Sequence, residues 1–202
     1  MDKETRKSIF MVASCLLSYP GRDEFWDTVR EVDEYVKTLQ SSSAVRAIRK
    51  GIRLFLKSDP NEIERLYCKE FDFRDTTSLY LTAHELGDSR KRGMAMGELR
   101  RIYLKAGFIE SETDALPDYI PRLLEFLAVK SDDVDTTAIE ARLRIVCTQI
   151  LEQIDTNTPW PFLFYALLKT LPGEEKSIPE DERFPFHEEA DLDELPYPLY
   201  YE

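Results

Sequence analysis

The sequence predicts an all-α fold: a single-domain helical bundle of about eight or nine helices. Three observations carry this expectation. Apolar residues recur at three- and four-residue spacing through most of residues 1–171. β-Branched residues rarely alternate with polar ones, so no stretch has the two-residue period of a strand. The 202 residues include only seven glycines, and a hydrophobic content of 43% is enough to fill one core.

The elements follow in order. Ile9, Val12, Ala13, Leu16 and Leu17 form one stripe of a first helix. Lys3, Arg6 and Lys7 precede this run as they would in an export leader. Asp2 and Glu4 interrupt them, however, and no small-x-small site follows before Tyr19-Pro20, so an amphipathic core helix is predicted. Phe25, Trp26, Val29, Val32, Val36 and Leu39 mark a second helix, ending before the serines at 41–43. Val45, Ile48, Ile52, Phe55 and Leu56 mark a third. Asp59-Pro60-Asn61-Glu62 reads as a helix start, with an acceptor cap, a first-turn proline and a glutamate placed for a capping box. That fourth helix presents Ile63, Leu66, Tyr67 and Phe71.

Leu79, Ala83 and Leu86 follow, and Gly87 supplies a C-terminal stop. Asp88 or Ser89 caps the next helix, which ends at Gly107. Pro121 cannot lie deep in a helix, so the one after it begins between Asp118 and Ile120. Ile139, Leu143, Val146, Ile150 and Ile154 define a long late helix, and Thr158-Pro159 opens a nearly all-apolar last one. No internal repeat is present. The domain is expected to span 1–171, followed by an acidic, proline-containing tail over 172–202 that is disordered or loosely docked.

Charge is unevenly placed. The chain carries −12, and eleven acidic residues beyond Leu171 face only Lys176 and Arg183 there. The remaining body is nearly neutral, and nucleic-acid binding, which would need a clustered basic face to neutralise phosphates, is not expected. The longest later apolar run, 162–168, is too short to span a bilayer, so direct membrane insertion is not expected. Cys15, Cys68 and Cys147 are odd in number and far apart, which suits buried reduced thiols in a cytoplasmic protein.

The segment SLYLTAHELGDSRKRGMAMGELRRIYLKAGF, from Ser78, and LPDYIPRLLEF, from Leu116, concentrate the informative residues. On a wheel of residues 88–106, Ala95, Leu99, Ile102, Tyr103 and Ala106 share a face opposite Arg90, Arg101 and Lys105. That basic stripe reads as a solvated face. Arg92 projects with the apolar set. It either pairs with a carboxylate, from Glu85, Asp88, Asp118 or Glu125, or snorkels to solvent over its neighbours. Gly93 and Gly97 stand four apart, and close approach of a helix or a ligand backbone would justify them. Asp118 has two readings: an N-cap carboxylate, or an acidic group that lines a cleft for a partner peptide together with Tyr119. Phe71, Phe73 and Tyr80 have two readings, core residues or a platform for a ligand, and core is the more frequent use of such aromatics.

No catalytic set is legible. His84 and His187 are the only histidines, and neither CxxC nor HxxxH occurs. His84 reads as a helix residue that could also line the cleft. No cofactor or metal site is expected.

The first of these segments resembles the respiratory nitrate reductase assembly chaperones, the delta-subunit or NarJ-type family of redox-enzyme maturation proteins. The wider likeness runs from about Ile9 to Leu171. It implies a chaperone that binds the apo catalytic (alpha) subunit of a membrane-bound molybdenum respiratory reductase at its N-terminal segment. Such a chaperone permits molybdenum-cofactor insertion and delays membrane docking. The family's usual pattern is Glu-Leu-Pro-Asp-His, with the Asp-His pair implicated in client recognition. Here Ala115 and Tyr119 occupy the outer positions, so only Leu116, Pro117 and Asp118 carry over. Together with the reading of the residues themselves, this gives an expected peptide-binding set of Leu116, Pro117, Asp118, Tyr119, Tyr80, His84 and Glu125, with Arg92, Gly93, Gly97 and Pro121 structural. The alternatives are a small helical enzyme or nucleotide-binding protein acting on the cofactor, for which no GxxxxGK[ST] loop exists, and a helical adaptor for an unrelated partner. The tail's end, Leu195-Pro196-Tyr197-Pro198-Leu199-Tyr200-Tyr201, raises the further expectation that it docks on the body, over the client groove.

Overall fold

The computed structural model describes residues 1–21, 23–108 and 115–173. Among them nine α-helices follow one another: α1 (Lys3–Leu16), α2 (Asp23–Thr38), α3 (Ser43–Lys57), α4 (Pro60–Tyr67), α5 (Leu81–Leu86), α6 (Arg90–Lys105), α7 (Ile120–Val129), α8 (Thr137–Gln153) and α9 (Trp160–Thr170). A π-turn (Cys68–Asp72) and a 3₁₀ turn (Asp75–Thr77) connect α4 to α5. The tail beyond Gly173 lies outside the described residues, and with it the expectations for its docking and disorder.

Local chemistry sets most helix ends. Asp2 accepts a hydrogen bond from the Thr5 amide (2.8 Å) and Ser42 from the Val45 amide (3.2 Å). Asp59 accepts from the amides of Asn61 and Glu62, with Pro60 in the first turn. Glu62 does not close a capping box, because its carboxylate bonds Arg65 instead. Gly87 (φ 55°) and Gly107 (φ 69°) take left-handed backbone conformations just past α5 and α6, where a side chain would strain. Pro121 sits in the first turn of α7, where its missing N–H leaves no bond unmade.

The apolar stripes bury as their spacing predicts. α1 packs along α7 and α3 along α9, while α9 also contacts α1 and α8. Gly51 explains how close α3 and α9 come: a Cβ there would meet the Pro159 carbonyl at 3.1 Å and Phe162 Cβ at 3.4 Å. Trp160, fully buried at the start of α9, takes edge contacts from Phe55, Tyr67 and Phe71, with ring centroids 5.9, 5.8 and 5.1 Å away. Removing such a side chain costs about 3–5 kcal/mol.

Two expected core residues are exposed. Leu56 is 45% exposed, because it is the penultimate residue of α3 and lies to the side of the inward stripe through Ile52 and Phe55. Phe73 is 82% exposed, because the chain turns away after the π-turn buries Phe71.

Two ion pairs fix the short α5 and the π-turn. Arg142 of α8 grips Glu85 with two bonds, at 2.8 and 2.6 Å. Glu70, fully buried, accepts from Arg74 at 2.7 Å, and Arg74 also donates to the Gln153 carbonyl at 2.9 Å. Burial pushes the Cys147 thiol up to about 12 and raises those of Cys15 and Cys68, so all three stay protonated at neutral pH. Cys147 is buried as expected; Cys15 and Cys68 are only half-buried.

Candidate functional site

The segment before α7 is held from four sides. The Leu81 amide donates to the Asp118 carbonyl (2.9 Å) and the Ile120 amide to the Leu79 carbonyl (2.8 Å), forming an antiparallel bridge between Tyr80 and Tyr119. The Tyr103 hydroxyl of α6 donates to the Pro117 carbonyl (2.7 Å), and Arg122 donates to the Ala115 carbonyl (2.8 Å). From α1, the Ser14 hydroxyl donates to the Pro121 carbonyl (2.7 Å). These bonds place residues 115–121 between α5, α6 and α1.

They also place Asp118 inside the protein, at 0% exposure. Its carboxylate does not cap α7. That helix starts after Tyr119 and has no side-chain cap. Oδ2 instead accepts from the Thr82 hydroxyl of α5 at 2.5 Å and faces Arg92 Nη2 of α6 at 3.5 Å. Oδ1 is buried with no hydrogen-bond partner among the described residues. A single hydroxyl and one long ionic contact are a thin shell for a buried carboxylate.

Arg92 resolves its two readings in favour of a pair that still reaches solvent. Its side chain is 20% exposed; it donates to Thr82 Oγ1 (3.3 Å), lies 4.0 Å from the exposed Asp88 and stacks 5.7 Å above the Tyr80 ring. Glu85 is not its partner, being held by Arg142.

An aromatic row extends from this pair. Tyr80 and Tyr119 lie 5.5 Å apart, the Tyr119 and Tyr67 hydroxyls share a 3.1 Å bond, and Tyr19 packs edge-on to Tyr67. Burial pushes the Tyr119 phenol up to about 12 and also raises that of Tyr80, which Asp118 raises further. A hydrogen bond to Glu64 pushes Tyr19 up to about 12. The row is therefore neutral at physiological pH. It presents ring faces and hydroxyls rather than charge.

The other anticipated residues scatter. Leu116 is exposed beside the cluster, and Pro117 is buried in it. The His84 ring bonds the Ser78 carbonyl through Nε2 (2.7 Å), which turns it back onto its own loop. Glu125 is exposed on α7 and acts electrostatically on Cys15 of α1, away from Asp118. Gly93 and Gly97 do not serve close packing: an added Cβ at either would meet no atom within 4 Å. Sequence reasoning missed Thr82, Tyr67 and Tyr103. The one available signal was the buried-side position of polar Thr82 directly after Leu81.

Comparison with known proteins matches residues 38–160 to the family described as nitrate reductase delta subunit. A probable nitrate reductase molybdenum cofactor assembly chaperone, NarJ, of Bacillus subtilis is 31% identical over 85% of this chain and 92% of its own length. NarJ of Escherichia coli K12, a nitrate reductase molybdenum cofactor assembly chaperone, is 31% identical over 79% of this chain and 67% of its own. Among solved structures, a candidate redox enzyme maturation protein of Archaeoglobus fulgidus superposes with a TM-score of 0.57 at 18% identity. The match covers 84% of this chain and 94% of that one, and it bears on the fold alone.

Proposed function

The chain belongs to the nitrate reductase delta-subunit family, and we propose on that premise that it is an assembly chaperone for a molybdenum-containing nitrate reductase. In this reading it binds the apo catalytic subunit at its N-terminal segment, keeps it open for insertion of the molybdenum cofactor and delays docking to the membrane. It works in the cytoplasm and turns over no substrate of its own.

One observation supports the binding role most directly: the fully buried Asp118 with a bare Oδ1 and a long contact to Arg92. An unpartnered buried acceptor costs about 1–3 kcal/mol, which a client donor placed there would recover. Arg92 can leave cheaply, because its side chain already reaches solvent and Asp88 stands 4.0 Å away. A basic or amide group of the client then replaces Arg92 on Asp118, while its apolar residues lie against Leu116, Tyr80 and Tyr119. Apolar contact sets affinity and the exchange of cations sets selectivity.

The test is titration of the full chain with the N-terminal peptide of the catalytic subunit, with hydrolase and nucleotidase assays run in parallel. Wild type should bind without turnover, and Asp118→Asn should bind about tenfold more weakly, or 1.4 kcal/mol. Absent binding, or turnover that follows the protein through purification, would sink the reading.

A further inference from the structure

The face built by α3 and α9 carries two features that client recognition does not use. The first is a basic ridge. Arg46, Arg49, Lys50, Arg53 and Lys57 lie on one side of α3, a helix without a single acidic residue, and all but Arg49 are exposed. No acidic side chain among the described residues lies within ion-pair distance of any of the five. Several cations on other helices are matched, Lys37 with Asp33 and Glu34, Arg65 with Glu62 and Arg101 with Glu98.

The second is an apolar cleft of about 570 Å³ beside that ridge, walled by Ala47, Leu151, Phe162 and Tyr165, with Arg46 and Lys50 at its mouth. Lys50 stands 6.0 Å over the Phe162 ring, and Lys169 5.2 Å over that of Tyr165, which is 42% exposed. The cleft shares no residue with the Asp118 cluster. An occupant that fits must bring aromatic or aliphatic side chains together with several carboxylates.

The chain itself holds such a segment. Residues 174–202 follow Gly173, close behind the end of α9, the helix that supplies Phe162 and Tyr165. They contain eleven acidic residues against Lys176 and Arg183, interleaved with Phe184, Phe186 and the run Leu195–Tyr201. Tyr165 lies eight residues before Gly173, about 12 Å along a helix, and the eleven residues from Gly173 to Phe184 can span up to about 35 Å. Tethering at this distance gives an effective concentration on the order of millimolar, enough for a modest contact to persist. A second copy of the body fits less well, because its own basic ridge would meet this one.

We propose that residues 174–202 fold back on the α3–α9 cleft, with aromatic side chains in the cleft and carboxylates along Arg46, Lys50, Arg53 and Lys57. The contact covers an exposed apolar surface and neutralises the ridge without occupying the client site.

Zero-length carbodiimide coupling of the full chain at low ionic strength, followed by peptide mapping, tests this. Expected are amide links from Lys50 and Lys57 to acidic residues of 174–202 within one molecule. Their yield should fall at least about fivefold in 0.5 M salt, where the screening length is only about 4 Å. A similar fall is expected in the variant carrying Arg46→Glu and Arg53→Glu, which keeps both reporter lysines and alters only exposed positions. Tyr165→Ser should lower the yield as well. The proposal is overturned if no such links form, or if they form equally at Lys37 and Lys69. It also fails if links in a mixture of isotopically light and heavy protein join two copies. Missing links together with flotation of the full chain on phosphatidylglycerol vesicles would instead assign the ridge to a lipid surface.

Discussion

Replacing Arg92 and Asp118 singly and together shows what holds the buried carboxylate. Arg92→Ala leaves Asp118, at 0% exposure, with the Thr82 hydroxyl as its one close partner among the described residues. Breaking a fully buried pair costs about 3–5 kcal/mol. Here the contact is 3.5 Å long and the arginine side chain 20% exposed, so the loss should be smaller, about 2 kcal/mol. Asp118→Asn keeps an acceptor for Thr82 but gives up the charged contact, at a cost of about 1.5 kcal/mol. With the charge already gone, adding Arg92→Ala loses only its packing over Tyr80, about 0.5 kcal/mol. The double variant should therefore lose about 2 kcal/mol rather than the 3.5 of simple addition, a coupling of about 1.5 kcal/mol. Urea unfolding followed by the fluorescence of buried Trp160 measures each value. The Arg92→Ala transition should also fall by roughly 4–8 °C in a chain of this size. Single losses that add to within about 0.5 kcal/mol would show that Arg92 and Asp118 are energetically independent and refute the reasoning.

Glycine positions give a contrasting set of expectations. Gly51→Ala should destabilise by about 1–2 kcal/mol, because its Cβ enters the 3.1 Å space before the Pro159 carbonyl. Gly93→Ala and Gly97→Ala, which meet nothing within 4 Å, should stabilise α6 by about 0.5–1 kcal/mol each, and melting curves of the three variants decide. Burial raises the Tyr119 phenol from its ordinary value of 10 to about 12. The stability it contributes is complete below pH 10 and is lost as pH rises from 10 through 12. Tyr119→Phe should thus be less stable at neutral pH, lacking the bond to Tyr67, yet decline less steeply between pH 10 and 12; parallel slopes in urea titrations would contradict this.

The helices and most of their inward faces were legible in the chain, because both depend on neighbours a few residues away. Asp59-Pro60 starts α4, Gly87 and Gly107 end α5 and α6, and Ile9, Val12, Ala13 and Leu16 share a stripe through 3.6-residue periodicity alone. The family block from Ser78 was legible for the same reason, as an unbroken run of residues. Leu56 and Phe73 misled because an apolar residue in sequence does not show where a helix ends or the chain turns: Leu56 lies at the end of α3 and Phe73 just past the π-turn. Tertiary structure alone decided the site. Asp118 finds Thr82 and Arg92 at separations of 36 and 26 residues, and its local position suggested a cap that the fold does not make. Gly51, silent in the sequence, proved to govern the approach of α9, whereas Gly93 and Gly97, conspicuous by their spacing, face open space. Which side chains meet across helices depends on crossing geometry and on the sum of many weak packing contacts, and no short stretch of sequence encodes that sum.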